Sequence, residues 1–237
     1  MIHIPIKFSE HISSRIAGIK LGILVARQVC VEKKPAKMKQ AFKKLEIDIK
    51  EEFRTSPPSA HPVVSAVRRM YRRIGWEPTQ YRPSSEAMIR RLLKNKGLYN
   101  INNIVDLGNI ASTRFHLPMG LYDYDKIAGS IQLDVGGENE SYQGIGKGLI
   151  HAAGKLVLRD SEGVFGNPTA DSKRTSITAQ TTNVLAIFFS PPEVDHHWLE
   201  MTLAYLENLY KEECPQAYIQ QSYIPTAVNS DQLSDRQ

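Results

Sequence analysis

Hydrophobic positions change their period along this chain. Ile2 to Phe8 alternates apolar and polar residues, and Leu21 to Val31 is rich in Ile, Leu and Val, so both predict strands at a sheet edge or hairpin. From Pro35 to about Arg54 the apolar residues Met38, Phe42, Leu45, Ile49 and Phe53 recur at three- and four-residue steps, one stripe of a helix whose other sides carry lysines. Ser56-Pro57-Pro58 ends it, since proline cannot continue a helix interior. A second helix is predicted from Pro62 to Ile74, burying Val63, Val67, Met70 and Ile74 and gathering Arg68, Arg69, Arg72 and Arg73 on its outer side. A third begins after Pro83, with Ser84 as its cap and Glu86 in its first turn, carries Arg90, Arg91 and Lys94, and stops at Gly97.

Beyond Gly97 the texture becomes one of short β-prone runs separated by Gly, Asp and Asn. Asn103 to Leu107, Ile127 to Leu133, Lys155 to Arg159 and Val184 to Phe189 each have the length and composition of a strand. After Ser190-Pro191-Pro192 a last helix, from about Asp195 to Tyr210, repeats apolar residues at Trp198, Met201, Leu206 and Leu209 and is expected to pack across the sheet. Helices first and strands second predict an α+β fold with a mixed β-sheet core, N-terminal basic helices and a C-terminal packing helix. The expected organisation is one domain over 1–221, with its core at about 60–212 and an N-terminal extension over 1–58. From Ser222 to the end at 237 the chain is polar and aperiodic, and is expected to be loosely ordered.

Composition narrows the class. With 41% apolar and 23% charged residues the chain reads as an ordinary globular protein. The uncharged apolar run Leu21 to Ala26 falls far short of the roughly 20 residues a membrane-spanning helix needs, and the opening residues lack a signal-peptide pattern, so a cytoplasmic protein is expected. Cys30 and Cys214 are expected to be two buried free thiols rather than a disulfide. Lys33 to Lys96 holds 17 Lys and Arg against 6 Asp and Glu, whereas Leu98 to Gln237 holds 9 against 17. A basic first half is the footprint of a surface that meets a polyanion, and equally of a solvated helical face.

Other chemistry is thin. His196 and His197 are adjacent and point to different sides of a helix, while the other five histidines lack ligand spacing; no metal site and no cofactor are expected. Gly144-Ile145-Gly146-Lys147-Gly148 lacks the Ser or Thr that ends a phosphate-binding loop and reads as a glycine-rich connection. Glu86 and Arg90 read as an ion pair on a helix surface. Trp76, Tyr81 and Tyr99 flank the basic helices, where they either pack or stack on nucleotides.

Asn102-Asn-Ile-Val-Asp-Leu-Gly-Asn109, Leu117-Pro-Met-Gly-Leu-Tyr-Asp123, Asp125-Lys-Ile-Ala-Gly129 and Thr182-Asn-Val-Leu-Ala-Ile-Phe-Phe-Ser-Pro191 occur in an order and spacing similar to the core of the B3/B4 domain in the beta subunit of bacterial phenylalanyl-tRNA synthetase. The resemblance covers roughly residues 88 to 210. Upstream, Tyr81-Arg-Pro-Ser-Ser-Glu-Ala87 leading into Ile89-Arg-Arg91 looks like short stand-alone versions of that domain. The resemblance implies a domain that hydrolyses the ester of an amino acid wrongly attached to tRNA, a reaction that positioning a water and polarising the carbonyl can achieve without a nucleophilic side chain.

The family's pocket carries over in part. Its Asp-x-Thr-Asn motif is Asp106-Leu107-Gly108-Asn109 here, its Pro-Met-His is Pro118-Met119-Gly120, and Leu185 stands where its tyrosine-recognising acid would be. Leucine cannot accept the hydrogen bond of a buried phenol, which points away from tyrosine and toward a less polar amino acid. Asn109 is the candidate for holding the amino group or ester, and Asp106 is read as fixing the backbone. Asp171 and Ser172, within Asp171-Ser-Lys-Arg-Thr175, are candidates for a replacement carboxylate or hydroxyl. The resulting expectation is a trans-acting aminoacyl-tRNA deacylase, with substrate-binding residues Asn109, Gly108, Gly120, Leu185, Asp171 and Ser172. The tRNA acceptor end would lie on Arg68, Arg69, Arg72, Arg73, Arg90 and Arg91. The alternative is a non-catalytic module that kept the fold and binds RNA, an amino acid or a protein partner.

Overall fold

In the computed structural model, which describes residues 5–33 and 35–228, the chain opens with β1 (Ile6–Phe8), α1 (Glu10–Arg15) and β2 (Lys20–Arg27). Residues 2–4 of the first expected strand lie outside the described residues. The second expected strand stops at Arg27, because Gln28 turns the backbone with a φ of 57°. Three helices follow: α2 (Met38–Glu52), α3 (Pro62–Arg73) and α4 (Ser84–Leu93). The stripe Met38, Phe42, Leu45, Ile49 and Phe53 is buried, as are Val63, Val67, Met70 and Ile74. Each large apolar side chain so removed from water contributes about 1.5–3 kcal/mol. Ser84 is the first helical residue rather than a cap; Pro83 holds the cap position without a side-chain bond. The helix ends at Leu93, before Gly97, and Asn95 already has a left-handed φ of 58°.

The next element corrects the sequence reading. Asn103 to Leu107, expected as a strand, begins α5 (Asn103–Phe115). Ile104, Leu107, Ile110 and Ala111 are buried at helical steps, a stripe hidden in the sequence by the turn-forming residues Asp106, Gly108 and Asn109. Asn102 caps the helix, its Oδ1 accepting the Val105 N–H at 2.8 Å.

Eight strands come next: β3 (Met119–Asp123), β4 (Ile131–Val135), β5 (Ser141–Gly144), β6 (Gly148–His151), β7 (Leu156–Asp160), β8 (Gly163–Asn167), β9 (Ala170–Asp171) and β10 (Asn183–Ser190). The chain then forms α6 (His196–Glu213) and β11 (Tyr218–Tyr223). Two sheets result, ordered β1-β4-β7-β8-β9 and β11-β2-β10-β3, beside a β5-β6 hairpin. The β1–β4 pairing is parallel and the other strand pairings are antiparallel, so the core is a mixed α+β arrangement. β10 lies between β2 and β3 and buries every residue from Val184 to Ser190, which explains its unbroken apolar run.

Asp195 caps α6 by accepting the His197 N–H at 2.7 Å. Its buried face is Leu199, Leu203, Leu206 and Tyr210; of the expected stripe Leu206 is buried, Trp198 and Leu209 are half-buried and Met201 is exposed. Gly22 admits this helix onto β2, since a Cβ there would stand 2.7 Å from Leu199 Cδ1. Part of the segment expected to be loosely ordered is paired. Ser222 and Tyr223 belong to β11, and the Leu21 N–H donates to the Pro225 carbonyl at 3.0 Å, because β2 offers an edge on which the chain pairs. Residues 229–237 lie outside the described residues. The glycine-rich segment turns the β5-β6 hairpin, with Gly146 and Gly148 at positive φ. Cys214 is buried and Cys30 exposed; the expectation of two buried thiols fails because Cys30 lies beyond the end of β2. No described helix is long and apolar enough to cross a membrane.

Candidate functional site

A recessed cleft of about 210 Å³ opens where the first turns of α5 meet β3, β9 and the β5-β6 turn. Val105, Met119, Leu121 and Ile177 supply apolar walls, and Ile101 and Ile145 stand at more exposed positions. Asn102, Asn109, Asp171 and Ser176 contribute the polar groups. α5 brings Asn109 to the cleft one turn after Val105, and the Asn109 side chain makes no hydrogen bond to any described residue. β9 brings Asp171, whose Oδ2 accepts the Leu121 N–H at 3.3 Å and so ties β9 to β3.

Asp171 has unusual electrostatics. Its Oδ1 is buried without a hydrogen-bond partner among the described residues. Burial pushes its carboxyl up from 3.8 to about 7, against the opposing influence of the nearby Tyr122 hydroxyl, the Leu121 N–H and Lys147. The Tyr122 hydroxyl lies beside it, also without a partner at hydrogen-bond geometry, and is driven well above 10 by burial and then by Asp171. Asp106 is different. Its Oδ1 accepts the Ile101 N–H at 3.1 Å and fixes the backbone leading into α5, although burial raises its carboxyl to about 6.

Asn109 and Asp171 therefore share one cleft, and four other expected substrate-binding residues do not line it. Leu185 is fully buried in the central strand, opposite Val25 and Tyr122, because β10 is flanked on both edges. Ser172 is buried and its Oγ accepts the Arg174 N–H at 3.1 Å, shaping the loop. Gly108 lies behind the cleft, where a Cβ would meet Met119 Cε at 2.3 Å. Gly120 faces Tyr122: a Cβ would stand 1.9 Å from its hydroxyl oxygen. Gly166 on β8 meets the same hydroxyl at 2.3 Å, so the phenol is seated between two glycines. The sequence reading missed Tyr122. Its signal was available, since residues two apart on a strand share a face and Tyr122 is two beyond Gly120.

The basic helices also need correction. Arg68 donates from Nη1 to both oxygens of fully buried Glu86, at 3.1 and 2.9 Å, and Arg90 donates to Glu86 Oε1 at 2.8 Å. The Glu86–Arg90 pair is thus centred in the interior rather than on a helix surface. Arg69 and Arg73 reach Glu193 at 3.6 and 2.5 Å, and Arg72 reaches Glu77 at 3.9 Å. Each of the four arginines expected on the outer side of α3 thus reaches an acid from elsewhere in the chain, Arg69 and Arg73 sharing Glu193. Around α4, Arg82, Arg90, Arg91, Lys94 and Lys96 line a groove of about 250 Å³ with Tyr99, and of these Arg82 and Arg90 also reach Glu86, at 3.9 and 2.8 Å. The Arg91 guanidinium stacks on the exposed Tyr99 ring at 3.9 Å. Trp76 is buried against Tyr71, ring centroids 4.5 Å apart, and is unavailable for stacking on a nucleotide. Tyr99 lines the groove and Ile101 the cleft, so the two are joined within about 7 Å of backbone.

Comparison with known proteins sets this geometry in context. The phenylalanine–tRNA ligase beta subunit of Fusobacterium nucleatum is 27% identical over 138 residues, covering 54% of this chain and 16% of the relative. That of Mycoplasma genitalium is 30% identical over 103 residues, covering 43% and 13%. This chain therefore spans less than a fifth of the length of those relatives. An uncharacterized protein of Bacillus subtilis, YhzB, is 18% identical over 207 residues, 87% of this chain and 93% of its own. Among solved structures, an N-terminal fragment of the phenylalanyl-tRNA synthetase beta subunit from Pyrococcus horikoshii superposes with a TM-score of 0.48 at 13% identity, covering 92% of this chain and 51% of that one. The sequence model of the B3/4 domain matches residues 66–197, a span that includes α4, α5, Asn109 and Asp171, and this match over more than half of the chain makes the protein a member of the B3/4 domain family.

Proposed function

We propose that this B3/4 domain acts in trans on aminoacyl-tRNA, hydrolysing the ester of an apolar amino acid held in the cleft of Asn109 and Asp171. The observation that carries the reading is an apolar-walled cleft that contains a neutral-range carboxyl and begins, at Ile101, two residues along the chain from the Tyr99 of a groove lined by basic side chains. The groove has the charge to hold phosphates of an acceptor end, and the exposed Tyr99 ring offers a face for a base. An amino-acid side chain would lie against Val105, Met119, Leu121 and Ile177. The Asn109 amide would donate to the ester carbonyl as charge develops on it. Asp171, with its carboxyl near 7, would take a proton from the attacking water and return it to the leaving ribose oxygen, since a general base works best near the ambient pH.

The test is a panel of mischarged tRNAs. At least one ester is expected to be cleaved faster than background, and Asn109→Ala is expected to slow that cleavage by about 10²-fold, the scale of one lost oxyanion donor. Binding should weaken steeply with salt and with charge reversal at Arg91 and Lys94. A second reading rests on Gly120, which aligns with the family's imidazole-bearing residue and leaves no room for a side chain, because the Tyr122 hydroxyl stands there. A flat panel with measurable, salt-sensitive tRNA binding would favour that reading, a module that binds without hydrolysis.

A further inference from the structure

Away from the cleft, three helix ends bring together Glu52, His61 and His116, separated in sequence by 9 and 55 residues. Glu52 closes α2, His61 caps α3, and His116 follows α5 in a left-handed conformation with a φ of 60°. Among the described residues their ligand-type atoms all lie within 4.8 Å of one another. Phe53 packs edge-on against both imidazoles, at 5.9 and 5.5 Å between ring centroids, and walls one side of the cluster with apolar surface. The two imidazoles are 4.3 Å apart, centroid to centroid.

The hydrogen bonding leaves an unmet demand for positive charge. His116 is almost wholly buried, and its Nδ1 lies 2.9 Å from the Thr113 carbonyl oxygen. A carbonyl can only accept, so Nδ1 carries the ring hydrogen. The neutral ring then turns a lone pair at Nε2 toward Glu52 Oε1, only 2.7 Å away, and a carboxylate is also an acceptor. Two acceptors at that distance need a proton between them, or a metal ion once they separate to its coordination spacing. His61 points its Nε2 at the same oxygen from 3.4 Å, placing a third donor atom of the right type around the same point.

We propose that Glu52, His61 and His116 form a binding site for a divalent transition-metal ion, zinc by ligand chemistry, that pins the ends of α2, α3 and α5 together. Two imidazole nitrogens and one carboxylate oxygen are a recurrent zinc ligand set, with a fourth position left for water. Tetrahedral coordination at about 2.0–2.2 Å places ligand atoms roughly 3.3 Å apart. The Glu52–His61 separation already meets that spacing, and the Glu52–His116 separation must open by about half an ångström, a movement the partly exposed Glu52 side chain allows. The Thr113 carbonyl is the outer-shell acceptor that holds the His116 ring in its metal-binding tautomer. Ligation through His61 Nε2 moves that ring's hydrogen to Nδ1 and gives up the 3.3 Å bond it accepts from the Val63 N–H. Metal uptake therefore loosens one helix cap while it fastens three helix ends.

The test is competition for Zn²⁺ between tag-free full-length protein and a chromophoric chelator, with the visible spectrum of Co²⁺ as a second readout. One equivalent of metal is expected per chain, with a tetrahedral Co²⁺ spectrum. His61→Ser, which retains a side-chain acceptor for the Val63 N–H, and Glu52→Gln, which keeps the shape of the side chain, should each weaken binding at least tenfold. Circular dichroism of both variants reports whether they fold. The proposal is overturned if wild type takes no metal from the chelator, which would assign the cluster to a shared proton. It is overturned equally if folded variants bind as wild type does, which would assign the metal to other groups, such as the exposed His196, His197 and Glu200.

Discussion

Replacing Asp171 with asparagine should make the protein more stable at alkaline pH and nearly indifferent at acid pH. The sign follows from the direction of the shift. An aspartate that titrates at 3.8 in the unfolded chain and near 7 in the folded one binds more protons folded than unfolded between those values. Folding is therefore favoured below 3.8, loses stability as pH rises through the window, and is level again above about 7. The full window is about three units, or on the order of 4 kcal/mol as an upper limit. The residue as a whole retains some solvent contact although Oδ1 is sealed, so we expect on the order of 2 kcal/mol between pH 5 and pH 8. The assay is urea denaturation of wild type and Asp171→Asn at half-unit steps, taking the difference between the two at each pH. Subtraction removes Asp106, which also loses stability as its carboxyl ionises near 6. Parallel curves from pH 5 to 8 would refute the argument, because they would mean that Asp171 ionises in the folded protein as easily as in water.

Two further outcomes test the packing around the site. Glu86→Gln leaves the half-buried Arg68 guanidinium without its carboxylate and should cost about 3 kcal/mol in urea denaturation; a loss below 1 kcal/mol would show that water screens the pair. Gly120→Ala should cost about 2–3 kcal/mol through the clash with buried Tyr122, and an unchanged midpoint would mean that the phenol does not occupy that space.

What the sequence disclosed depended on how much of each element faces water. α2 and α3 were legible because one side is buried and the other carries Lys or Arg, so the helical period is written in polarity. α5 was not, because nine of its thirteen residues are buried, including Asn103, Asp106, Ser112 and Thr113, and a helix enclosed on most sides loses its polar face. Its buried polar groups are held by backbone carbonyls: Asn103 donates to that of Cys30, 73 residues away, and Ser112 to that of Leu117. Motif similarity supplied Asn109, and a polar cluster near the aligned position of the missing acid supplied Asp171, but their meeting depends on the β3 edge reaching β9, a contact of segments 50 residues apart. The arginine row failed for the complementary reason. Helical spacing fixes which residues share a face, and says nothing of Glu77, Glu86 and Glu193 converging on that face from three other segments.

The departure at Gly120 is better understood as a rebuilt wall than as a lost group. A side chain at that position would need the space in which the Tyr122 hydroxyl already lies, and Gly166 makes the same concession from the opposite strand. Returning the family's imidazole by Gly120→His alone would therefore collide with a buried ring, while truncating Tyr122 alone would open a cavity between two glycines. The two positions can change only together. The seated phenol in turn lies beside Asp171, whose carboxyl burial raises to about 7, close to the ordinary range of histidine, against the lowering influence of the Tyr122 hydroxyl. On the proposed reading, a group that exchanges protons near neutrality is supplied to the cleft by β9. An imidazole or carboxyl at that site is useful for the same reason: at neutral pH it is available in both its acid and its base form.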